Sequence, residues 1–311
     1  MDIIPLSYPV DWSAVSAGGD KQVLAIGDFD GVHLGHREVI GRALRTAGHQ
    51  GLPAAIMTFH PHPRSVMGQD KYDNLLTPLE SKMELFRSLG ISRTYVVTFD
   101  DSLMHVSPQQ FVDEVLVPLG VESVVVGFDF TFGYQGKGNP DSLCELAHGK
   151  FAVEVVRPYY MDGAKVSSTS VREALQQGDV PAASRLLGRP YSLSGKVVGG
   201  FQRGRTIGFP TANLDPIACS VVPANGVYAI KAHVQGRMYK GVMNIGVKPT
   251  FETGELKRTL EAHLFDFAGD IYGETVKVEL IAYLREERKF GSIDELVAQI
   301  RRDAEASKAA L

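Results

Sequence analysis

Two histidines, three residues apart, stand where the chain passes from an apolar run into an amphipathic segment. The run Val23–Ile26 predicts a buried strand, and the pattern over His36–Ala47 predicts a helix. Free backbone N–H groups and the dipole at a helix start attract anions. His33 and His36 can face one phosphate there and donate hydrogen bonds to its oxygens as charge builds on phosphorus. The glycines that leave room for the turn and for a phosphate are Gly27, Gly31 and Gly35.

An isolated histidine pair of this kind also fits an ordinary glycine-containing loop with two surface histidines. A zinc site is a further alternative, since His60 and His62 follow the next predicted strand, Ala54–Phe59. Zinc ligation usually brings cysteine or carboxylate partners into a tight constellation. Pro61 and Pro63 hold the second histidine pair in an extended loop, which disfavours zinc.

A second stretch, residues 200–213, combines glycines, two arginines and a Pro-Thr-Ala-Asn segment. Flexible glycines with cations suit a polyphosphate. Thr211 and Asn213 are two residues apart in an extended segment and face the same way, so both can offer oxygen ligands to Mg²⁺. The stretch does not match the GxxxxGK[ST] pattern of a Walker A loop.

Glu261 lies in an alternating segment downstream and is a candidate general base for a primary alcohol that attacks a γ-phosphate. Taken alone, a glutamate in a strand is far more often a solvated surface residue.

The first half of the chain alternates short β-branched apolar runs with helical patterns, which predicts an α/β doubly wound parallel sheet. The further strands predicted are Thr94–Phe99, Ser123–Val126 and Val153–Val156, and the further helices are Pro78–Leu89, Pro108–Leu116 and Pro140–Ala147. Two of these helices are expected to start at an N-cap followed by proline, Thr77-Pro78 and Ser107-Pro108.

From about residue 192 polar and apolar residues alternate between turns, which predicts a small closed antiparallel barrel. Its predicted strands include Val227–Val234, Arg237–Ile245, Leu260–Phe267 and Val276–Leu284. One or two helices over residues 169–188 precede it, and a charged amphipathic helix, Ile293–Lys308, ends the chain. We expect two domains, 1–186 and 187–311.

The composition is that of a soluble globular protein, which we expect to be cytoplasmic. The chain has 311 residues, a net charge of −4 and a pI of about 6.1, so no global basic field recruits nucleic acid. Its two cysteines, Cys144 and Cys219, lie outside any CxxC pattern and are expected to be reduced. No leader or membrane span is expected, and the oligomeric state cannot be deduced.

Several ordered motifs give the chain a specific resemblance. The stretch GDFDGVHLGH resembles the HxGH signature of the nucleotidyltransferase superfamily, in the form found in bacterial bifunctional riboflavin kinase/FAD synthetases. Further matches in family order are TFHPHP, LTPL, VGFDFTFG, SSTSVR, PTAN, NGVY, GVMNIG, PTF, EAHLFDF, IYG and LREERKF. The resemblance covers nearly the whole chain and implies a Rossmann-like nucleotidyltransferase domain followed by a six-stranded antiparallel riboflavin kinase barrel with a terminal helix.

By that resemblance the first domain adenylylates FMN to FAD. His33 and His36 would bind the ATP phosphates and stabilise the transition state at the α-phosphorus, and Asp129 would hold a ribose or ligand at the switch point of the sheet. The other implied ATP and phosphate ligands are Gly27, Phe29, Asp30, Gly31, Gly35, Ser168, Thr169 and Arg172. The SSTSVR segment also fits simple N-capping of a helix that begins at Val171.

The second domain, by the same resemblance, phosphorylates riboflavin. Glu261 would deprotonate the 5′-hydroxyl, and Thr211 and Asn213 would bind Mg²⁺-ATP. The other implied ATP ligands are Gly200, Arg205, Gly208 and Pro210, and the implied flavin contacts are Asn244, Arg285 and Phe290.

Two positions depart from the commoner family pattern. Asp28 stands where asparagine or an apolar residue is frequent, and Thr131 where arginine is common; Lys137 could compensate for the missing guanidinium. Three alternatives stay open: an HxGH transferase for another substrate, a class I aminoacyl-tRNA synthetase and a non-catalytic flavin-binding module. The kinase-like barrel disfavours a transferase for another substrate. The lack of a KMSKS-like loop disfavours an aminoacyl-tRNA synthetase. Retention of His33, His36 and Glu261 weighs against the third.

Overall fold

The computed structural model describes residues 1–15, 20–199, 209–216, 219–249 and 256–311, without the side chains of residues 248–249 and 256–257. It forms two compact units, Met1–Ser167 and Ser168–Leu311. The two helices that follow residue 167 thus group with the second unit, whereas the predicted division at 186/187 assigned them to the first. That division stays a prediction.

A six-stranded parallel sheet forms the first unit, in the strand order β1-β4-β3-β2-β5-β6. The strands are β1 (Asp2–Leu6), β2 (Gln22–Ile26), β3 (Ala54–His60), β4 (Arg93–Thr98), β5 (Val121–Gly127) and β6 (Ala152–Val156). Leu24 and Ile26 pack into one core, while Val23 and Ala25 pack into a second core on the opposite face. Burial on both faces explains why these strands are continuous apolar runs, and it confirms the predicted doubly wound sheet.

Helices connect the strands of this sheet. They are α1 (Leu34–Gln50), α2 (Pro63–Val66), α3 (Leu79–Ser88), α4 (Asp101–Met104), α5 (Pro108–Gln110) and α6 (Pro140–Leu146). A π-helical segment, Phe111–Leu116, continues α5, and a short hairpin, β7 (Tyr160–Met161) and β8 (Ala164–Lys165), ends the unit. Ser107 caps α5 as predicted, with a full capping box. The predicted Thr77 cap is wrong, because Pro78 is the N-cap of α3 and the Thr77 N–H donates to Asp30 instead.

The second unit begins with α7 (Ser168–Gln176) and α8 (Val180–Leu187) and continues into a closed antiparallel barrel. Its strands, in the order β10-β13-β12-β11-β14-β9, are β9 (Tyr191–Val198), β10 (Ala212–Pro216), β11 (Gly226–Val234), β12 (Arg237–Pro249), β13 (Leu256–Leu264) and β14 (Thr275–Arg285). The terminal helix α9 (Ile293–Ala310) starts at Ser292, whose hydroxyl accepts a hydrogen bond from the Glu295 N–H. The predicted barrel and terminal helix are confirmed.

No helix within the described ranges is both long and apolar enough to cross a bilayer.

Candidate active sites

The loop between β2 and α1 lies at the point where the strand order of the sheet reverses, between β2 and β5. Ligands of doubly wound sheets bind beyond the strand ends at this point. The loop has an unusual backbone: Phe29 and Val32 have positive φ angles of 52° and 43°, and Gly31 has a φ of 91°. A positive φ is costly for a β-branched residue, so neighbouring contacts must hold this turn.

His33 and His36 lie together at the start of α1. His33 is the N-cap, and its Nδ1 accepts a hydrogen bond of 3.2 Å from the His36 N–H. The two imidazole rings stack, with centroids 3.6 Å apart and planes 17° from parallel. Burial lowers the pKa of His33 to about 4, although Asp30 and Asp129 favour the protonated form. The His33 ring is therefore neutral at neutral pH, with Nδ1 as acceptor and the proton on Nε2.

Two side chains from neighbouring elements and one side chain of the loop itself hold the backbone of this loop. Lys82 of α3, only 3% exposed, donates from Nζ to the Asp28 carbonyl at 2.7 Å, and Thr58 of β3 donates to the same oxygen at 3.0 Å. The carboxylate of Asp30 is 2% exposed and accepts from the Thr77 N–H at 3.1 Å. These contacts hold the loop in the conformation in which Phe29 and Val32 have positive φ angles.

Aromatic packing explains two of the glycines in the motif. A Cβ on Gly27 would lie 3.1 Å from the Phe29 ring, and one on Gly35 would lie 3.2 Å from the His33 ring. Phe29 in turn meets His36 edge to face, with centroids 5.4 Å apart. Phe29 therefore packs against one member of the histidine pair, a contact that the sequence did not reveal.

The Asp28 side chain is partly buried beside the loop. Its Oδ1 is buried and has no hydrogen-bond partner in the described part of the chain, and its Oδ2 lies 4.0 Å from Nε2 of His62. Burial, together with the nearby Asp30 charge, raises the pKa of Asp28 to about 6, against the opposing effect of Lys82 and Arg64. The departure noted in the sequence thus places a poorly solvated carboxylate beside the proposed phosphate loop.

Asp129 follows β5 and therefore lies on the other side of the switch point from the histidine loop. Lys165 of β8 pairs with it at 2.9 Å and stacks over the Phe128 ring at 4.2 Å. Lys165 was not predicted, and no motif marks it. The Nζ of Lys137, the residue suggested to compensate for the missing guanidinium at position 131, lies 5.6 Å from the centre of the Tyr134 ring.

Ser168, Thr169 and Arg172 occupy the first turns of α7, in the second unit. The helix begins at Ser168 rather than at Val171, so the capping interpretation of this segment is wrong in its start point. Arg172 is 8% exposed.

Strand register brings three polar residues together in the barrel. Glu261 of β13 pairs directly with Asn213 of β10 on one side and with Asn244 of β12 on the other. Residues opposite one another in antiparallel strands project from the same face, with Cβ atoms about 5 Å apart. Thr211 lies two residues before Asn213, and all four residues are partly exposed. Hydroxyl, amide and carboxylate oxygens at this place fit the ligand preference of Mg²⁺.

A histidine that was not among the predicted site residues holds the segment before Thr211. His263 Nδ1 donates to the Pro210 carbonyl at 2.8 Å, and its ring meets Phe209 edge to face at 5.4 Å. The predicted ligands Gly200, Arg205 and Gly208 lie outside the described residues.

Arg285 and Phe290 flank the connection from β14 to α9. The Arg285 guanidinium donates to both carboxylate oxygens of Asp303, from Nε at 2.9 Å and from Nη2 at 2.7 Å. It also lies 5.9 Å from the centre of the Phe290 ring. Asp303 was missed, yet a sign was present in the sequence, because this charged residue lies at helical spacing from the apolar residues Leu296 and Ile300.

Within the described ranges, no three histidine, cysteine, aspartate or glutamate side chains gather as a metal-binding group. His62 instead stacks on Tyr72, with centroids 4.7 Å apart, and caps α2 by accepting from the Arg64 N–H.

Comparison with known proteins identifies both units. The family model for FAD synthetase matches residues 16–170, and that for riboflavin kinase matches residues 187–311. The bifunctional riboflavin kinase/FMN adenylyltransferase of Bacillus subtilis is 47% identical over 285 residues, which cover 91% of this chain and 90% of that protein. The protein of the same name from Escherichia coli K12 is 38% identical over 285 residues, 90% of each chain.

A crystal structure from Streptococcus pneumoniae, described as a macrolide-efflux protein, matches with a TM-score of 0.90, 31% identity and 99% coverage of both chains. The efflux description applies to that protein; both family models and the curated relatives of the present chain instead name flavin enzymes. The chain belongs to the bifunctional riboflavin kinase/FMN adenylyltransferase family, with an FAD synthetase domain followed by a riboflavin kinase domain.

Proposed function

We propose that the barrel unit phosphorylates riboflavin to FMN and that the sheet unit adenylylates FMN to FAD, each with its own ATP. The observation that carries this proposal is that each unit has its own set of groups for phosphate chemistry. One is the stacked pair His33 and His36 at the start of α1, and the other is Glu261 in register with Asn213. Both reactions are direct displacements, and neither needs a covalent enzyme intermediate.

In the sheet unit the FMN phosphate attacks the α-phosphorus of ATP and pyrophosphate leaves. His33 can donate a hydrogen bond only from Nε2, because its Nδ1 accepts the His36 N–H. The neutral imidazole then offers a directed donor to the oxygens on which charge develops, supported by the helix dipole. His36, stacked on the same ring, contacts the same phosphate, and Asp129 with Lys165 binds the ribose or a neighbouring polar group.

The other predicted residues of this site have supporting or untested roles. The loop is shaped by Gly27, Phe29, Asp30, Gly31 and Gly35. Phosphate binding by Ser168, Thr169 and Arg172 stays a prediction.

In the barrel unit Glu261 accepts the proton of the riboflavin 5′-hydroxyl while that oxygen attacks the γ-phosphorus of ATP and ADP leaves. Thr211 and Asn213 would hold Mg²⁺, since Asn213 pairs with Glu261, Thr211 precedes it by two residues, and both side chains offer oxygen ligands. Magnesium, when bound, neutralises charge on the ATP phosphates. Asn244, opposite Glu261, contacts the flavin chain, and Arg285 and Phe290 lie at the ring.

The proposed ligands are small molecules, and the net charge of −4 disfavours nucleic acid as a partner. Cys144 and Cys219 are both free and exposed, which suits a reducing cytoplasm.

Two variants test the separation of the sites. Glu261→Gln is expected to lower FMN formation from riboflavin by about 10²–10⁴-fold and to leave FMN-to-FAD conversion unchanged. His36→Ala should have the opposite effect. Purified full-length protein is incubated with Mg²⁺-ATP and either flavin, and products are quantified by chromatography. His49→Ala on the exposed face of α1 and Glu305→Gln on α9 are matched controls. Equal loss of both activities in either folded variant would refute two independent sites.

A further inference from the structure

The terminal helix α9 buries a row of polar side chains. Gln299, Asp303 and Ser307 are four residues apart and are 9%, 6% and 0% exposed. Residues at this spacing lie on one face of a helix. Burial of polar groups is costly unless they are hydrogen-bonded, so this face must meet specific partners on the barrel.

Each of these side chains has such a partner. Ser307 donates to the Gly241 carbonyl of β12 at 2.7 Å, which fixes the end of α9 on the barrel wall. Asp303 receives both Nε and Nη2 of Arg285, the planar two-point geometry that is strongest for a carboxylate and a guanidinium. Gln299 donates to Asp303 at 2.7 Å and accepts from Arg288. The helix face therefore holds two guanidinium groups of the segment that leads into it.

These two guanidinium groups flank one aromatic ring. Arg285 and Arg288 lie 5.9 Å and 4.9 Å from the centre of the Phe290 ring. Cations at such distances from an aromatic face attract it. Because α9 holds both arginines, it also favours the observed position of the Phe290 ring.

Residues 285–290 also contact β12, the strand that pairs with β13 beside Glu261. Glu287 accepts from Nδ2 of Asn244 at 3.3 Å. It also lies so close to Gly246 that a Cβ there would be 2.2 Å from its Oε1. Asn244 in turn pairs directly with Glu261. Contacts thus run from α9, through residues 285–290, to the residue beside the proposed base.

We propose that Asp303 and Gln299 are positioning residues of riboflavin phosphorylation: they hold Arg285 and Phe290 at the flavin end of the kinase site. The inference rests on the proposed function and deepens it, since it assigns the terminal helix a part in flavin binding. Asp303 acts through Arg285 and does not itself touch the substrate.

Asp303→Asn tests this inference, because the amide keeps the shape of the side chain but loses the charge and one acceptor. Misplacement of substrate-positioning groups by about 1 Å can cost 10²-fold, so a rise of about 10- to 100-fold in the KM for riboflavin is expected. The kcat for riboflavin phosphorylation and the KM for ATP should stay close to wild type. FMN-to-FAD conversion, measured on the same full-length sample, should not change.

Two further variants keep the test decisive. Gln299→Leu should raise the riboflavin KM in the same way, and Asp303→Glu, which keeps the charge, should partly restore it. Lys308→Ala, on the exposed face of α9, is the control and should change neither constant. If folded Asp303→Asn shows an unchanged riboflavin KM, or if kcat and both KM values worsen together with a lower melting temperature, the positioning role is refuted. Failure of the proposed function itself would appear separately, as riboflavin phosphorylation that survives Glu261→Gln.

Discussion

Replacing Asp28 with asparagine is expected to stabilise the protein at neutral pH, although the change removes a charge near buried Lys82. Burial raises the pKa of Asp28 from 3.8 to about 6, so the folded state disfavours the ionised carboxylate. The difference between these pKa values corresponds to about 3 kcal/mol. Because 36% of the side chain is exposed, solvent screening reduces the expected gain to about 1 kcal/mol.

The stabilisation expected for Asp28→Asn depends on pH in a defined direction. Between pH 3.8 and about 6 the folded protein binds more protons at Asp28 than the unfolded chain does. The stability contributed by Asp28 is therefore fully present below the lower pKa and is lost as the pH rises through the higher one. Asparagine removes this dependence, so its advantage is complete near pH 7.5 and falls to about half near pH 5.

Thermal melting of the full-length protein at pH 7.5 and pH 5 measures the effect. For a unit of this size, about 1 kcal/mol corresponds to a melting temperature about 2–4 °C higher at pH 7.5. Asp101→Asn, which alters a carboxylate with an 89% exposed side chain, is the control. A lower melting temperature for Asp28→Asn at pH 7.5, or a gain that grows toward pH 5, would refute the reasoning.

Three further substitutions probe the packing around the two sites. Lys82→Met removes the buried ammonium that donates to the Asp28 carbonyl, and it should cost about 3–5 kcal/mol, seen as a lower melting temperature and weaker FMN adenylylation. Gly226→Ala places a Cβ 2.4 Å from Tyr283 at a φ of 151°, and should cost about 1–3 kcal/mol in denaturant unfolding, with riboflavin phosphorylation reduced in parallel. Ser292→Ala removes the N-cap of α9 and should cost about 1 kcal/mol by the same measurement.

Strands and helices of the sheet unit could be predicted because a parallel strand buried on both faces leaves a continuous apolar run in the sequence. The strand β1 could not, since Pro5 interrupts it. An edge strand tolerates a residue without an N–H, and among the described strands β1 pairs only with β4. Its place at the edge depends on the whole sheet and cannot be read from a local pattern.

The candidate sites likewise combine local features, which could be predicted, with contacts between distant residues, which could not. The proximity of His33 and His36 follows from a helix start, and that of Asn213 and Glu261 depends on a strand register that only the motifs suggested. Contacts between distant parts of the chain were missed. Thr77 gives its N–H to a carboxylate 47 residues earlier, and the cap expected from its sequence neighbours did not form. Asp303 could have been noticed as a charged residue on the inner face of a helix, but its partner could not.

The cap of α1 has a consequence for mutational surveys of this enzyme. One imidazole, that of His33, both completes the first helical turn and presents a donor beside His36. A saturation scan scored by growth would therefore find position 33 intolerant for two mixed reasons, a frayed helix and lost catalysis. Asparagine or serine would preserve the turn but would not reach as far as the ring. Position 36, whose side chain does not cap the helix, would separate chemistry from capping in such a survey, since its ring contributes only through its contacts with Phe29, His33 and other side chains.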